Sequence, residues 1–280
     1  MKLPISLIIL TRDEEVNIRK CLESVKDWVS EIIVVDSMST DKTAEIAKGY
    51  GARVVEHDFV NQAQQFNWAL DTQKIKNEWI LRLDADEEVP EELWEEIEKK
   101  LPEAPADVSG FYIKRRVYFM GRWIKHGGYY PTWILRLFRN GKGKSEDREM
   151  DEHIILLKGR AEKLENDFID RNNKNLSFWI DKHNKFASRE VLEIMKAAEH
   201  RSAGAPEGPP GERRKAKQRY YELPMFFRAL LYFLNRYFLK LGFLDGKEGL
   251  IFHVLQGFWY RFLIDAKLYE NGKIKNQNAK

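Results

Sequence analysis

Apolar residues along the first hundred positions fall into two alternating rhythms. "ISLIIL" (5–10), "EIIVVD" (31–36), "ARVVEH" (52–57) and "WILRL" (79–83) are short aliphatic runs bounded by polar residues, as in strands buried on both faces. Between the first two, Ile18, Cys21, Leu22, Val25 and Val29 recur at helical spacing. Ser39, Thr40 or Asp41 can cap a second helix ending near Gly49 or Gly51. Asn61 can cap a third through Leu70, and Pro90 suits the first turn of a fourth. Strands alternating with amphipathic helices predict an α/β domain around a parallel sheet. Strands one, two and four then carry polar loops at their carboxyl ends, the edge where open α/β sheets bind ligands.

Beyond Pro105 the alternation becomes irregular. "GFYIKRRVYFMGRWI" (110–124) and "WILRLFR" (133–139) read as strands, with the "HGGYYP" loop (126–131) between them, and 175–201 reads as helix. The expected organisation is a main domain over 1–201, in two halves that meet at about 105–106. A Gly/Pro-rich basic linker (202–222) and a helical extension (223–280) follow. In "MFFRALLYFLNRYFLKLGFL" (225–244), Arg228, Asn235, Arg236 and Lys240 fall within an arc of roughly 140° on a helix, opposite Phe227, Leu231, Leu234, Phe238 and Leu241. Such a helix suits a membrane interface better than a crossing, although aromatic stripes at this spacing also pack as ordinary core.

Composition narrows the classes. The chain has 280 residues, 43% of them hydrophobic and 32% charged, which excludes a multi-span membrane protein and allows a sizeable core. Its one cysteine, Cys21, permits no intrachain disulfide and points to a reducing compartment. The opening "MKLPISLIIL" stops at polar residues with no small-residue cleavage site, so it reads as a strand rather than a signal peptide. The net charge of +3 hides an asymmetry: from Arg201 onward fifteen Lys and Arg face seven Asp and Glu, a net of +8. A basic tail interleaved with aromatics suits an anionic membrane surface, and its helical stripe argues against nucleic acid as the partner.

The residues able to do chemistry gather at strand ends. "LDADEE" (83–88) places Asp84 and Asp86 on one face of an extended segment. Two close carboxylates repel unless a cation or proton separates them. A divalent ion such as Mn²⁺ or Mg²⁺ relieves that repulsion and leaves positions for phosphate oxygens, whereas an acidic turn feeding a helix start would explain Glu87 and Glu88 equally well. "VVDSMSTDKT" (34–43) puts Asp36 at the end of strand two, where a carboxylate can accept hydrogen bonds from a nucleobase or ribose.

These segments, "ISLIILTRDEEVNIRKCLESV" (5–25), "EIIVVDSMSTDKTAEIAKGYGARVV" (31–55), "NQAQQFNWAL" (61–70) and "EWILRLDADEEV" (78–89), resemble the inverting family 2 glycosyltransferases. The resemblance implies a GT-A fold, a Rossmann-like mixed sheet of the nucleotide-diphospho-sugar transferases, here with a C-terminal amphipathic helical extension. It implies that Thr11, Asp13, Glu15, Asp36, Asn67 and Asp84 bind the donor nucleotide and that Asp86 binds the metal. Asp13, Met38 and Phe66 stand where relatives commonly carry Asn, Gly and a basic residue.

An inverting transfer needs a base for the acceptor hydroxyl. The resemblance points to "EMDEHI" (149–154), with Glu152 first and Asp151 second, and His153 either serving the diphosphate or orienting the acidic pair. His126, Tyr129 and Tyr130 are possible acceptor or diphosphate contacts, or simply a tight turn. The segments 121–139, 178–190 and 244–270 look like enzymes of lipopolysaccharide-core and exopolysaccharide synthesis. The implied protein is a metal-dependent transferase taking a nucleotide-sugar donor, a UDP-hexose first, and a lipid-linked saccharide acceptor. It would sit peripherally on the inner face of the cell membrane through its C-terminal helices. A polyprenyl-phosphate sugar synthase and a non-catalytic membrane adaptor remain as alternatives.

Overall fold

The computed structural model describes residues 2–146, 153–202 and 219–278. Among them run strands β1 (Leu3–Thr11), β2 (Val29–Asp36), β3 (Arg53–Glu56), β4 (Trp79–Asp84), β5 (Glu87–Glu88), β6 (Val108–Phe119), β7 (Arg122–Trp123), β8 (Trp133–Arg139), β9 (Gly143–Ser145), β10 (Ile154–Leu156) and β11 (Arg160–Arg171). Nine form one sheet in the order β3-β2-β1-β4-β8-β6-β11-β5, with β7 on β6, and β9 pairs with β10 apart from it. β3, β2, β1 and β4 are mutually parallel; β8 runs against both β4 and β6, and β11 is parallel to β6. The carboxyl ends of β1, β2, β4, β6 and β11 therefore share one edge.

The aliphatic strand runs bury both faces, as their lack of alternation predicts. On one face Ile5, Leu7, Ile9, Val34 and Leu81 pack under α1 (Ile18–Glu23), α2 (Thr43–Gly49) and α4 (Glu91–Glu103). On the other, Ile8, Ile33, Val35 and Ile80 pack against Phe66 and Ala69 of α3 (Gln62–Thr72). Asn61 caps α3, its side-chain oxygen accepting the Gln64 N–H at 2.8 Å. Two local expectations shift. α1 ends at Glu23, so Val29 opens β2. Neither Ser39, Thr40 nor Asp41 is the cap residue of α2, which is Lys42; Asp41 instead accepts the Thr43 N–H at 2.9 Å.

The chain divides into two compact units: residues 1–123 with 129–174, and 124–128 with 175–280. The division falls at Lys174 rather than at residue 201, because α5 (Leu176–Ser202) packs Ala187 and Val191 against Tyr260 and Ile264 of the last helix, Tyr260–Asn278. Buried Glu190 accepts hydrogen bonds from Tyr221 and Tyr260 at 2.7 Å each, which joins the same helices.

The stretch 225–244 is not one amphipathic helix. An α-helix spans Phe227–Leu234, a π-helical turn spans Asn235–Leu239, and Leu241 adopts φ 59°. Its polarity is also inverted at one position. Arg228, expected on the solvated arc, is buried and donates through Nε at 2.9 Å to Asp265, which is fully buried. Phe227, Leu231, Leu234, Phe238 and Leu241 are exposed. Among the described residues, no helix is long and apolar enough to cross a membrane.

Two imidazoles, His183 and the buried His253, couple the stability of the second unit to pH. His183 stacks on Trp179 with ring centroids 3.5 Å apart, and burial lowers its pKa to about 4; burial lowers His253 to about 4 as well. The unfolded chain takes up these protons near the ordinary value of 6.5. Between pH 6.5 and 4 the unfolded state therefore binds more protons, and stability falls on acidification. The thermal midpoint is expected to drop from pH 7 to pH 5, with a shallower drop in His183→Phe; equal slopes in a calorimetric pH series would refute this origin.

Candidate active site

β4 carries a charge into the interior of the sheet. Arg82 and Arg136, on adjacent strands β4 and β8, are both buried. Each guanidinium lies over an aromatic ring, Arg82 at 5.0 Å from Phe66 and Arg136 at 5.4 Å from Phe168. Those rings belong to the two core clusters on opposite faces of the sheet. Both arginines reach Asp84, Arg136 at 3.2 Å and Arg82 at 3.8 Å, so its carboxylate is bracketed by cations from both faces. Arg136 arrives there through a bulge: Phe111 faces Leu137 and Tyr112 faces Leu135, which leaves Arg136 as the extra residue.

Glu87 completes the bracket. It is buried, pairs with Arg136, and accepts the Asp84 N–H at 2.9 Å. Burial pushes its carboxyl up to about 8, against the pull of Arg136. Burial would lower Arg136, but Glu87 and Asp84 outweigh it and keep the guanidinium charged.

Asp86 sits in the turn between β4 and β5, so the strand alternation expected from the sequence does not set its direction. Its Oδ2 accepts from Asn172 Nδ2 at 2.8 Å and its carbonyl from the Arg171 N–H at 2.8 Å. Its Oδ1 accepts no hydrogen bond among the described residues. Among those residues no three His, Cys, Asp or Glu side chains form a metal cage. Mg²⁺ and Mn²⁺ are commonly held by one or two carboxylates with substrate phosphates completing the shell, so one open hard oxygen at Asp86 is a donor set that fits.

Across the edge, two loops are laced together. Asp36, buried at the end of β2, accepts from Thr11 Oγ1 at 2.8 Å, from the Ser39 N–H at 2.8 Å and from Ser39 Oγ at 2.6 Å. Asp13, at φ 53°, accepts the Thr40 N–H at 2.7 Å, and Glu15 accepts the Lys42 N–H at 3.1 Å. Glu14, whose pKa burial raises, is held by Lys174 at 2.8 Å and Asn17 at 2.7 Å. Asn17 in turn accepts the Asn173 N–H at 2.9 Å. Thr11 and Asp36 line this edge with Asp84 and Asp86, while Asp13 and Glu15 act here as tethers between the loops.

Other expected site residues are placed elsewhere. Asn67 exchanges both amide bonds with the backbone of Ser145, at 2.9 and 2.8 Å, and so pins β9 to α3 rather than offering its carboxamide to a nucleotide. Asp151 and Glu152 lie outside the described residues. His153, exposed beside them, accepts the Glu146 N–H at 2.9 Å through its carbonyl.

His126 belongs with the second unit. Its Nδ1 is 2.6 Å from buried Asp245, and Gly127 beside it has φ 70° with the His253 ring where a Cβ would stand. Tyr129 and Tyr130 belong with the first unit: the Tyr129 carbonyl accepts from Thr132 Oγ1 at 2.6 Å, and Tyr130 Oη donates to Asp167 at 3.0 Å. The loop 126–130 is thus divided between the two units. Sequence reasoning missed Arg82, Arg136, Glu87 and Asn172. The signal for the first two was the repeated "WILRL" at 79–83 and 133–137, since an arginine inside a buried strand needs a carboxylate partner.

A family profile described as "Glycosyl transferase family 2" matches residues 6–157. The chain belongs to that family. It is a glycosyltransferase, similar over 98% of its length and 95% of the relative's to the lipopolysaccharide core biosynthesis glycosyltransferase LpsC of Rhizobium meliloti, at 28% identity. An uncharacterised glycosyltransferase of Rickettsia typhi is 25% identical over 98% of this chain and 89% of its own. Among solved structures, the mannosyltransferase PcManGT of Pyrobaculum calidifontis, in complex with GDP-Man and Mn²⁺, matches with TM-score 0.56 and 16% identity over 96% of this chain and 88% of that one. The mixed sheet with its C-terminal helices is thus the GT-A fold, as the strand motifs implied.

The Arg136–Glu87 pair gives the site's stability prediction. Above about pH 8, where Glu87 is ionised, Arg136→Met strands its buried carboxylate and is expected to cost the glycosyltransferase about 3–5 kcal/mol in urea unfolding. Adding Glu87→Gln should recover part of the loss; a single variant within 1 kcal/mol of wild type, roughly the level of an exposed pair, would show that the bracket is not buried in solution.

Proposed function

We propose that this glycosyltransferase moves a sugar from a nucleoside diphosphate donor to a hydroxyl of a lipid-linked saccharide, with inversion, in cell-surface polysaccharide or lipopolysaccharide assembly. The observation that carries this reading is the β4 edge, where Asp84 is locked between two guanidinium groups and the Asp86 Oδ1 is left open. Asp86 would hold a divalent ion, which when bound would supply charge neutralisation for the diphosphate. Thr11, Asp36 and Ser39 form the edge that receives the nucleoside. Asp36 Oδ2 accepts one hydrogen bond among the described residues, from the Ser39 N–H, and so has capacity for a base or ribose donor.

The acceptor oxygen forms its bond to the anomeric carbon as the bond to the diphosphate breaks, and its proton passes to a carboxylate. Glu152 is the residue assigned to that proton, on its sequence position, with Asp151 second. The LpsC relative supports a polysaccharide acceptor, and the PcManGT complex with GDP-Man brings guanosine beside uridine as the donor base.

The second unit supports membrane attachment. Phe238 and Leu239 are 52% and 80% exposed, within a run of exposed Phe and Leu from Phe227 to Leu250, while Arg228 is turned inward. Large exposed apolar patches mark membrane or partner contacts, and "RRKAKQR" (213–219), which precedes them in the sequence, is basic, as an anionic leaflet requires. The enzyme then works at the cytoplasmic face of the membrane that carries its acceptor.

Calorimetric titration of UDP and GDP, each with and without Mn²⁺, tests the donor site. Metal-dependent binding of one nucleotide, weakened at least about tenfold in Asp86→Ala, is expected; metal-independent binding of equal strength in both proteins would overturn the assignment. Turnover in Glu152→Gln should fall by roughly 10²–10⁴ with donor affinity retained, and near-normal turnover would favour a phosphate acceptor, which needs no strong base. Sedimentation with phosphatidylglycerol vesicles should be lost in Phe238→Asp/Leu239→Asp, and unchanged sedimentation would exclude this face as the anchor.

A further inference from the structure

We propose that the open face of β6, between β8 and β11, holds an anionic part of the acceptor: a sugar ring bearing a phosphate or a carboxylate. The inference rests on the acceptor being a saccharide, as proposed above, and adds its charge. Phe111 and Ile113 point into the buried core, so alternation sends Tyr112, Lys114 and Arg116 to the opposite face, where Tyr112 is 37% exposed.

The register places Lys114 directly across from Trp133 on β8 and Asp167 on β11. Asp167 reaches that position because β11 carries two extra residues between the partners of Tyr112 and Lys114. It is buried and accepts from Arg116 Nε at 2.6 Å, from Lys114 Nζ at 3.1 Å and from Tyr130 Oη at 3.0 Å.

Charge does not balance on this face. Lys163 is exposed, its ammonium 4.8 Å from the centroid of Trp133, and Lys114 is 5.6 Å from the same ring. No carboxylate pairs with Lys163 among the described residues. Three cations thus meet one carboxylate beside two aromatic rings. A purely structural ion pair explains Arg116 and Asp167 but leaves Lys163 without a purpose. Aromatic faces suit the C–H surfaces of sugars, and excess positive charge over low-dielectric rings attracts an anion. Arg116 and Asp167 lie in the carboxyl-terminal halves of β6 and β11, toward the edge that Asp84 occupies on β4, and Lys163 lies nearer the amino end of β11.

The test uses the full chain and saturation-transfer NMR titrations of glucose 6-phosphate, glucuronate and glucose, with UDP and Mn²⁺ binding measured on the same samples. Glucose 6-phosphate or glucuronate should bind at least about tenfold tighter than glucose, and the two arms separate phosphate from carboxylate recognition. Lys114→Met and Lys163→Met should each weaken the anionic ligand about three- to tenfold and leave UDP binding unchanged, whereas Lys26→Met, at a remote exposed lysine, should have no effect. Arg116 and Tyr130 still satisfy Asp167 in Lys114→Met, and Lys163→Met alters only an exposed position, so folding is preserved. Equal binding of glucose, no binding of either anion, or anion binding unaltered in both variants would overturn the proposal. Loss of UDP binding in the wild-type protein with anion binding intact would instead overturn the donor site alone.

Discussion

The site depends on two buried guanidinium groups facing one carboxylate. Removing an arginine from water costs several kcal/mol, and only close counter-charges offset it. Arg82 and Arg136 find them in Asp84 and Glu87. This requirement fixes the end of β4, the bulge in β8 and the turn that carries Asp86. Asp84 is therefore a structural anchor as well as a candidate ligand contact, and Asp86 is presented by a turn whose two flanks are already ionically tied.

A second layer of hydrogen bonds transmits that rigidity along the edge. Asp36 gathers Thr11 and Ser39, while Asp13, Asp41 and Thr43 cross-link the first and second loops. Asp13 and Met38 both hold left-handed backbone conformations, φ 53° and 55°, which for residues other than glycine persist only when neighbours over-determine them. The density of bonds around Asp13 supplies that constraint. Met38 is left exposed, 51% accessible at the rim.

The second unit solves the opposite problem. Arg228 turns inward to the fully buried Asp265, and Glu190 gathers two tyrosine hydroxyls and Arg261. These polar contacts hold the helices together from inside. Phe and Leu side chains between Phe227 and Leu250 face outward, and they are the surface that the proposed membrane attachment uses.

Much of the fold was legible in the chain because its signals are local. Aliphatic runs with no alternation mark strands covered on both faces, and "IVVDS" and "LDADEE" announce polar strand ends where a sheet binds ligands. Asn61 was readable as a cap for the same reason. What tertiary structure decided is who meets whom across a hundred residues. It joined Arg136 to Asp84, Asn172 to Asp86 and Asn67 to Ser145, parted His126 from Tyr130, and reversed the polarity expected of Arg228. A periodic stripe states which face of an element is apolar, but the burial of a charge is set by its partner. Asp84 and Asp265 lie 52 residues before Arg136 and 37 residues after Arg228, so only the folded chain determines that these cations belong inside.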